Sequence, residues 1–310
     1  MRRGACLVAL TVIGMVLTVA THEARQPRPE IYGIKRVSEQ LYVLINDPMS
    51  NAMETGGNTA IWVMDDGVLL VDTKIAGYGQ SIIDHVDKIT HLPVTTIVNT
   101  HTHYDHSGTN TEFPDTVDFV VHENTLAQMS RESCAPVTNC DAFKGENARY
   151  LPKTTYSDRH TLFSGDDRVE LYHFGQGHTD GDTFVVFPSA GAMHTGDMFQ
   201  RMTSGFPFID VANGNGSALE FGATLERAVA GISGVDTVIP GHNTWVVDWT
   251  DFVAFSGFYN DMLDQARASH AAGRSAEEAA EAYRIPAAFS QFLAPPENVQ
   301  RAVGWVYDEL

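Results

Sequence analysis

Residues 94–110 read VTTIVNTHTHYDHSGTN. A short run of β-branched and apolar residues, which reads as a buried strand, passes directly into a loop with three histidines and an aspartate in six positions: His101, His103, Asp105 and His106. A solvated loop can carry such residues, or a metal site needs them there. Imidazole nitrogen and carboxylate oxygen are ligands that suit divalent zinc. If the chain is extended here, His101, His103 and Asp105 alternate onto one side, and His106 reaches a neighbouring position as the chain turns at Ser107-Gly108. Four such groups exceed what one tetrahedral site takes from a single loop. The loop therefore points to two metals and calls for more ligands from distant segments.

Three segments offer them, each beside a glycine where a strand gives way to a turn. GQGHTDGDT brings His178, HTGDMF brings Asp197 and VIPGHN brings His242. A single histidine after a glycine is usually a turn residue, so the weight lies in the set. Asp180 and Asp182 are explained by turn chemistry, and Asp72 at the end of VLLVDT can be an ordinary strand-end cap. His22, His85, His91, His122, His160, His173, His194 and His270 read as structural or exposed. Strand alternation places His194 on the face opposite Asp197. Tyr104 reads as a packing residue, and Met49, Met53 and Met64 surround a hairpin rather than a cofactor.

The surrounding pattern is that of a mixed α/β chain. LYVLIN reads as a strand, and NTAIWVMDDGVLLVDT as a hairpin turning at Asp-Asp-Gly. QSIIDHVDKIT has helical spacing at Ile82, Ile83, Val86 and Ile89. DFVVHENT, RVELYHF, TFVVFP, GAMHTG and VDTVIP supply further strands. SALEFGATLERAVAGI opens with Ser217 and Glu220 at capping-box spacing. From about residue 250 the chain reads as helical throughout. Residues 134–159 lack periodicity and read as a surface excursion, a common source of lids. MSNAMETGGN (residues 49–58) has the composition of a flexible flap. Strand-turn-strand units ending in Asp72 and in Asp197 echo each other and suggest duplicated halves.

The 310 residues include 39 acidic and 20 basic ones, for a net charge of −19. Such a surface repels phosphate backbones and argues against nucleic acid as partner or substrate. Arg2 and Arg3, an apolar run to Ala20, and small residues Thr18 and Ala20 form a signal-peptide pattern. The expected organisation is a cleaved leader at 1–20, a main domain at 21–250 and a helical extension at 251–310 packed on it. The chain is then periplasmic or secreted, with no stable membrane insertion after cleavage; a retained anchor is the alternative. Beyond Cys6, Cys134 and Cys140 form an even pair that an oxidising compartment would close into a small-loop disulfide, with unrelated thiols or a metal pair as alternatives.

With these motifs in place the chain resembles the metallo-β-lactamase superfamily, over about residues 40–245. The resemblance implies a four-layer αββα sandwich of duplicated halves, here with a helical C-terminal tail. It implies that His101, His103 and His178 hold one zinc and that Asp105, His106 and His242 hold a second. Asp197 would bridge the two and Asp72 would support the loop; iron or manganese are alternative metals. The implied reaction is attack by a metal-bridging hydroxide, with Asp105 orienting it and passing a proton to the leaving group. Asp197 combined with His106 resembles the glyoxalase II, lactonase and phosphodiesterase branches more than the lactamases with a Cys ligand. The expected activity is hydrolysis of a small carbonyl substrate: a lactone, β-lactam, ester or thioester. A small-molecule phosphodiesterase and an exported, non-catalytic metal-binding protein are the alternatives.

Overall fold

The computed structural model describes residues 29–45, 55–200, 205–243 and 245–310. The leader with Cys6, and the flap's residues 49–54 with Met49 and Met53, lie outside the described residues.

Among the described residues, strands form a seven-stranded and a six-stranded sheet. The first runs β1 (Gly33–Arg36), β2 (Leu41–Ile45), β3 (Thr59–Val63), β4 (Val68–Val71), β5 (Val94–Val98), β6 (Asp118–His122), β7 (Thr154–Tyr156). It is antiparallel as far as β4 and parallel from β4 to β7. The second contains β8 (Arg159–Leu162), β9 (Val169–Tyr172), β10 (Phe184–Phe187), β11 (Ala192–His194), β12 (Thr237–Ile239) and β13 (Val247–Asp248). Here only the β11–β12 pair is parallel.

Alternation along the strands explains the layering. In β3, Ala60 and Trp62 face the second sheet, where Val185 and Phe187 of β10 meet them in a shared core. Ile61 points the other way, onto Ile82 and Val86 of helix α1 (Gly79–Ile89). Phe184 and Val186 point away from the sheet interface, onto Phe221 and Leu225 of α4 (Ala218–Gly231) and Phe252 and Phe255 of α5 (Trp249–Ala271). Both sheets are thus covered on both faces, which is why their strands read as apolar runs without clean alternation. The order is helix, sheet, sheet, helix, the αββα sandwich expected. Between α1 and α4 lie a single helical turn, α2 (Tyr104–Ser107), and α3 (Glu123–Met129).

The internal echo has a topological counterpart. The β3–β4 hairpin passes through α1 into the parallel strand β5, and the β10–β11 hairpin passes through α4 into the parallel strand β12. His101, His103, Asp105 and His106 follow the C-terminal end of β5, and His242 follows that of β12.

After α5 come α6 (Ala276–Ala282) and α7 (Pro296–Glu309). Val299, Ala302, Val303 and Val306 of α7 join the core that covers the second sheet. The capping box expected at α4 forms only in part. Ser217 accepts the Glu220 N–H at 3.0 Å, but the Glu220 carboxylate lies 3.5 Å from Arg227. The start of α4 is instead held by Glu309, whose carboxylate accepts from Ala218 N at 2.6 Å and Ser217 Oγ at 2.5 Å. A carboxylate is favoured there by the unpaired N–H groups and the positive end of the helix dipole. Among the described residues, no helix is long and apolar enough to cross a membrane.

Residues 134–159 are more than a surface excursion. They bury Phe143, Tyr150 and Tyr156, and end in β7 at the edge of the first sheet. Apolar anchors spaced seven and then six apart sustain no single period, so the pattern hides them. Cys134 and Cys140 are joined in a disulfide.

Candidate metal centre

The histidine loop is fixed from below by Asp72, which directly follows β4 and has a positive φ of 62°. Its Oδ1 accepts the Thr100 N–H at 2.8 Å, and its Oδ2 accepts the Thr100 hydroxyl at 2.8 Å. Thr100 Oγ1 in turn lies 3.0 Å from His101 Nδ1. The same Asp72 Oδ2 stands 2.7 Å from His106 Nδ1. One buried carboxylate thus sets the orientation of two rings, the supporting role expected of Asp72.

The loop is not extended beyond His103. His103 caps the single turn α2, with the N–H groups of His106 and Ser107 donating to its carbonyl. This turn, not strand alternation, brings Asp105 and His106 to one side. The disulfide-closed segment holds the loop from above. Tyr104 N–H donates to Val137 O and Asn139 N–H to Thr102 O, and the Asn139 amide donates to Ser107 O at 2.9 Å.

Four of the five histidines commit one nitrogen to an outer partner, while His242 Nδ1 is buried without one. His103 Nε2 lies 3.0 Å from Asp210 Oδ2, leaving Nδ1 free, and His178 Nδ1 lies 2.7 Å from the Phe208 carbonyl, leaving Nε2 free. With Nδ1 of His101 and of His106 engaged as above, their Nε2 atoms are turned the same way. This is how outer hydrogen bonds fix tautomer and aim in metal-ligating histidines. The freed nitrogens converge: His103 Nδ1 and His178 Nε2 are 3.0 Å apart, and His106 Nε2 and His242 Nε2 are 3.1 Å apart. Asp105 Oδ2 lies 3.7 Å from His106 Nε2 and 3.4 Å from His242 Nε2. Asp197 stands between the groups: Oδ1 is 3.3 Å from His106 Nε2 and 3.2 Å from His242 Nε2, and Oδ2 is 3.7 Å from His178 Nε2.

These separations suit one cation per group, since ligands about 2.1 Å from a tetrahedral zinc lie about 3.4 Å from one another. Ligand atoms of His101, His103 and His178 lie within 4.8 Å of one another, as do those of Asp105, His106 and His242. A third such set, His101, His106 and Asp197, links the two. His101 Nε2 is buried with no hydrogen-bond partner. An unpaired buried polar atom costs about 1–3 kcal/mol, and a cation would relieve it.

The electrostatics agree. Burial, reinforced by the rings of His106, His103 and His178, holds the His101 pKa well below its ordinary value. Burial and His103 lower His178 to about 4. Both are thereby kept as neutral imidazoles, the form that binds metal. For Asp197, burial would raise the pKa, but His242 and His106 outweigh it and hold the carboxyl ionised. Burial pulls His106 down, yet Asp197, Asp105 and Asp72 drive it well above its ordinary value. The centre thus draws positive charge onto itself, as a proton or as a metal ion.

Residues 55–242, well over half of the chain, match the sequence model of the metallo-β-lactamase superfamily. The chain belongs to that superfamily. The α subunit of 2,4-dinitroanisole O-demethylase from Nocardioides sp. strain JS1661 is 30% identical over 141 residues, a match that spans 43% of this chain and 38% of that protein. Among solved structures, the DIM-1 metallo-β-lactamase superposes with a TM-score of 0.59 at 16% identity, covering 75% of this chain and 98% of that one. The inverting sec-alkylsulfatase Pisa1 from Pseudomonas sp. gives 0.66 at 14% identity, covering 87% of this chain and 49% of that one. At these identities the structural likeness shows the fold alone.

This metallo-β-lactamase-fold chain brings together all of the site residues read from the sequence. It also recruits others that the sequence did not mark. Asp210 and the Phe208 carbonyl orient ligands from a loop with no motif. Lys74, fully buried, donates from Nζ to Gly57 O at 2.7 Å. Burial lowers its pKa to about 7 against the opposing pull of Asp72 and Asp105. Asn58 ties the loop ahead of β3 to the His242 turn through Pro240 O and Asn243 O. His194 departs from the alternation argument. Asp197 lies not on β11 but in the turn after Gly196, whose φ is 51°, so the two-residue period has already ended. His194 is buried behind the centre, accepting the Gly196 N–H at Nδ1. Asp182 is the turn residue expected, accepting from Thr179 N and Oγ1. His122 and His173 stack 3.8 Å apart away from the ligands.

Proposed function

We propose that the chain is a binuclear zinc hydrolase that opens a small carbonyl substrate: a lactone, β-lactam, ester or thioester. The observation that carries this reading is Asp197, whose two oxygens face the two histidine groups. His101, His103 and His178 would hold one ion, Asp105, His106 and His242 the other, and Asp197 both. Zinc ions there would make water available as hydroxide at neutral pH and polarise the carbonyl oxygen. Asp105, at the start of α2, would orient the attacking water and carry its proton to the leaving group. Asp72, Asp210 and the Phe208 carbonyl hold the rings in the required tautomers. The ligand side chains are largely buried, which would limit the water around the reacting atoms.

The remaining parts of the proposal concern place and partners. The Cys134–Cys140 disulfide is of a kind that oxidising compartments maintain and supports an exported chain, with residues 1–20 as a cleaved leader. The partner would be a small molecule rather than nucleic acid. Residues 251–310 would act as an extension bordering the 21–250 domain.

The test is a turnover panel with the zinc-loaded mature chain: a β-lactam, a homoserine lactone, a thioester, an activated phosphodiester and 2,4-dinitroanisole, the last taken from the relative's name. Turnover of one carbonyl class, abolished by Asp105→Asn together with weaker binding of the ion at Asp105, His106 and His242, is the expected result. Turnover of the phosphodiester or the aryl ether alone would replace the carbonyl reading. Two zincs bound with no turnover throughout would favour a binding role.

A further inference from the structure

An aromatic ring held open at the edge of a polar centre offers a flat apolar face to a ligand bound there. Phe208 is 40% exposed, yet its ring lies 6.0 Å from that of His178 and 6.4 Å from that of His103. Its position is over-determined. The backbone carbonyl of the same residue holds His178 Nδ1, its N–H lies 3.4 Å from Gln200 Oε1, and Gln200 donates to Asp197 Oδ2 at 2.8 Å. The ring is also backed from the C-terminal extension. Trp305 of α7 packs edge-to-face against it with centroids 5.7 Å apart, and the Arg301 guanidinium lies 5.5 Å over the Trp305 ring. Arg301 is itself 3.4 Å from the Phe206 carbonyl on the Phe208 loop. An aromatic surface held at several points therefore stands at the edge of the His101, His103 and His178 group, built half by the loop that orients His103 and His178 and half by a helix far along the chain.

We propose that Phe208, backed by Trp305, is the specificity surface of the site and receives an aryl group on the non-reacting part of the substrate. This rests on the metal-centre reading above and narrows its substrate class to aryl-bearing molecules. A flat ring stacked offset on Phe208 lies within about 4.5–7 Å of it, centroid to centroid. That leaves one short linker between the ring and an atom at the metal-facing nitrogens. An alkyl substrate of similar reach gains the apolar contact but not the stacking geometry.

The test separates this surface from the metal centre by binding rather than turnover. Acetohydroxamate, benzohydroxamate and cyclohexanecarbohydroxamate are titrated by calorimetry into the zinc-loaded full chain, as wild type, Phe208→Ala, Phe208→Leu and Trp305→Phe. Zinc content is measured for each. In the wild type, benzohydroxamate is expected to bind about 10-fold more tightly than the cyclohexyl compound. Phe208→Ala and Phe208→Leu should each bring that ratio to within about 2-fold, at unchanged zinc content and acetohydroxamate affinity. Trp305→Phe, which keeps an aromatic backing, should retain most of it. Equal affinities for the three compounds in the wild type, or a ratio indifferent to both Phe208 changes, overturns the proposal while leaving the metal centre intact. Failure of all three to bind at full zinc content also overturns it, whereas a wild type that holds no zinc removes the metal-centre reading on which it rests.

Discussion

Replacing Asp72 by asparagine keeps the shape of the side chain and tolerates the positive φ, yet it should disable half of the centre. Asp72 accepts from Thr100 N and Thr100 Oγ1 at 2.8 Å each and meets His106 Nδ1 at 2.7 Å. Asparagine has only one acceptor oxygen. If that oxygen stays on the Thr100 N–H, the amide NH2 faces His106 Nδ1, which must give up its hydrogen and accept. The ring then carries its hydrogen on Nε2, the nitrogen aimed at His242 and Asp197. That tautomer cannot ligate. Forcing the other one leaves two donors opposed in a fully buried spot, which forfeits a charge-assisted bond of about 1.5–3 kcal/mol. Converted to affinity, this is roughly 10- to 150-fold, in keeping with the roughly 10- to 100-fold typical of losing such an outer partner. The assay is zinc titration against a competing chelator. The ion at Asp105, His106 and His242 should weaken by that factor. The ion at His101, His103 and His178 should weaken by less, because Thr100 can still rotate its hydroxyl toward a neighbour. Two zincs bound within about 3-fold of wild type by a folded Asp72→Asn chain would refute the tautomer argument.

Four further outcomes are expected. A Cβ at Gly57 would lie 2.4 Å from His106 Cε1, so Gly57→Ala should displace that ring, at about 1–3 kcal/mol in urea unfolding, and lower zinc stoichiometry toward one. Glu309→Ala removes the carboxylate at the start of α4 and should cost about 1–2 kcal/mol without changing zinc affinity, read from urea midpoints of the zinc-loaded chain. Cys134→Ser with Cys140→Ser should cost about 2 kcal/mol of stability and speed amide exchange at Tyr104 and Asn139; exchange rates unchanged from wild type would show that the disulfide does not clamp the loop. Burial, aided by His173, lowers the His122 pKa to about 4. A folded-state value below the ordinary 6.5 means that stability is fully present above pH 6.5 and is lost as pH falls toward 4. Between pH 7 and 4.5, wild type should lose about 1–2 kcal/mol more than His122→Gln, after allowing for solvent screening at the pair; parallel pH profiles would remove His122 as the cause.

The sequence by itself determined which residues make up the candidate centre. His101, His103, Asp105 and His106 are adjacent in the chain, so residue type and spacing suffice to mark them. His178, Asp197 and His242 each follow a strand end with a glycine nearby, a local signature that can be read without knowing what lies opposite. The layered fold was legible for the same reason, because apolar runs and turn residues act over a few positions. Even so, the geometry of the loop was misjudged, since α2 and not an extended chain presents Asp105 and His106. Tertiary structure alone decided who holds whom. Asp210 reaches His103 across 107 positions, Glu309 reaches the start of α4 from 91 positions away, and Trp305 backs Phe208 from a helix that carries no site motif. Such pairings leave no periodic trace, because a hydrogen bond or ring contact needs only that two side chains meet in space. The sheets and the chain's return through α5 and α7 bring those side chains together.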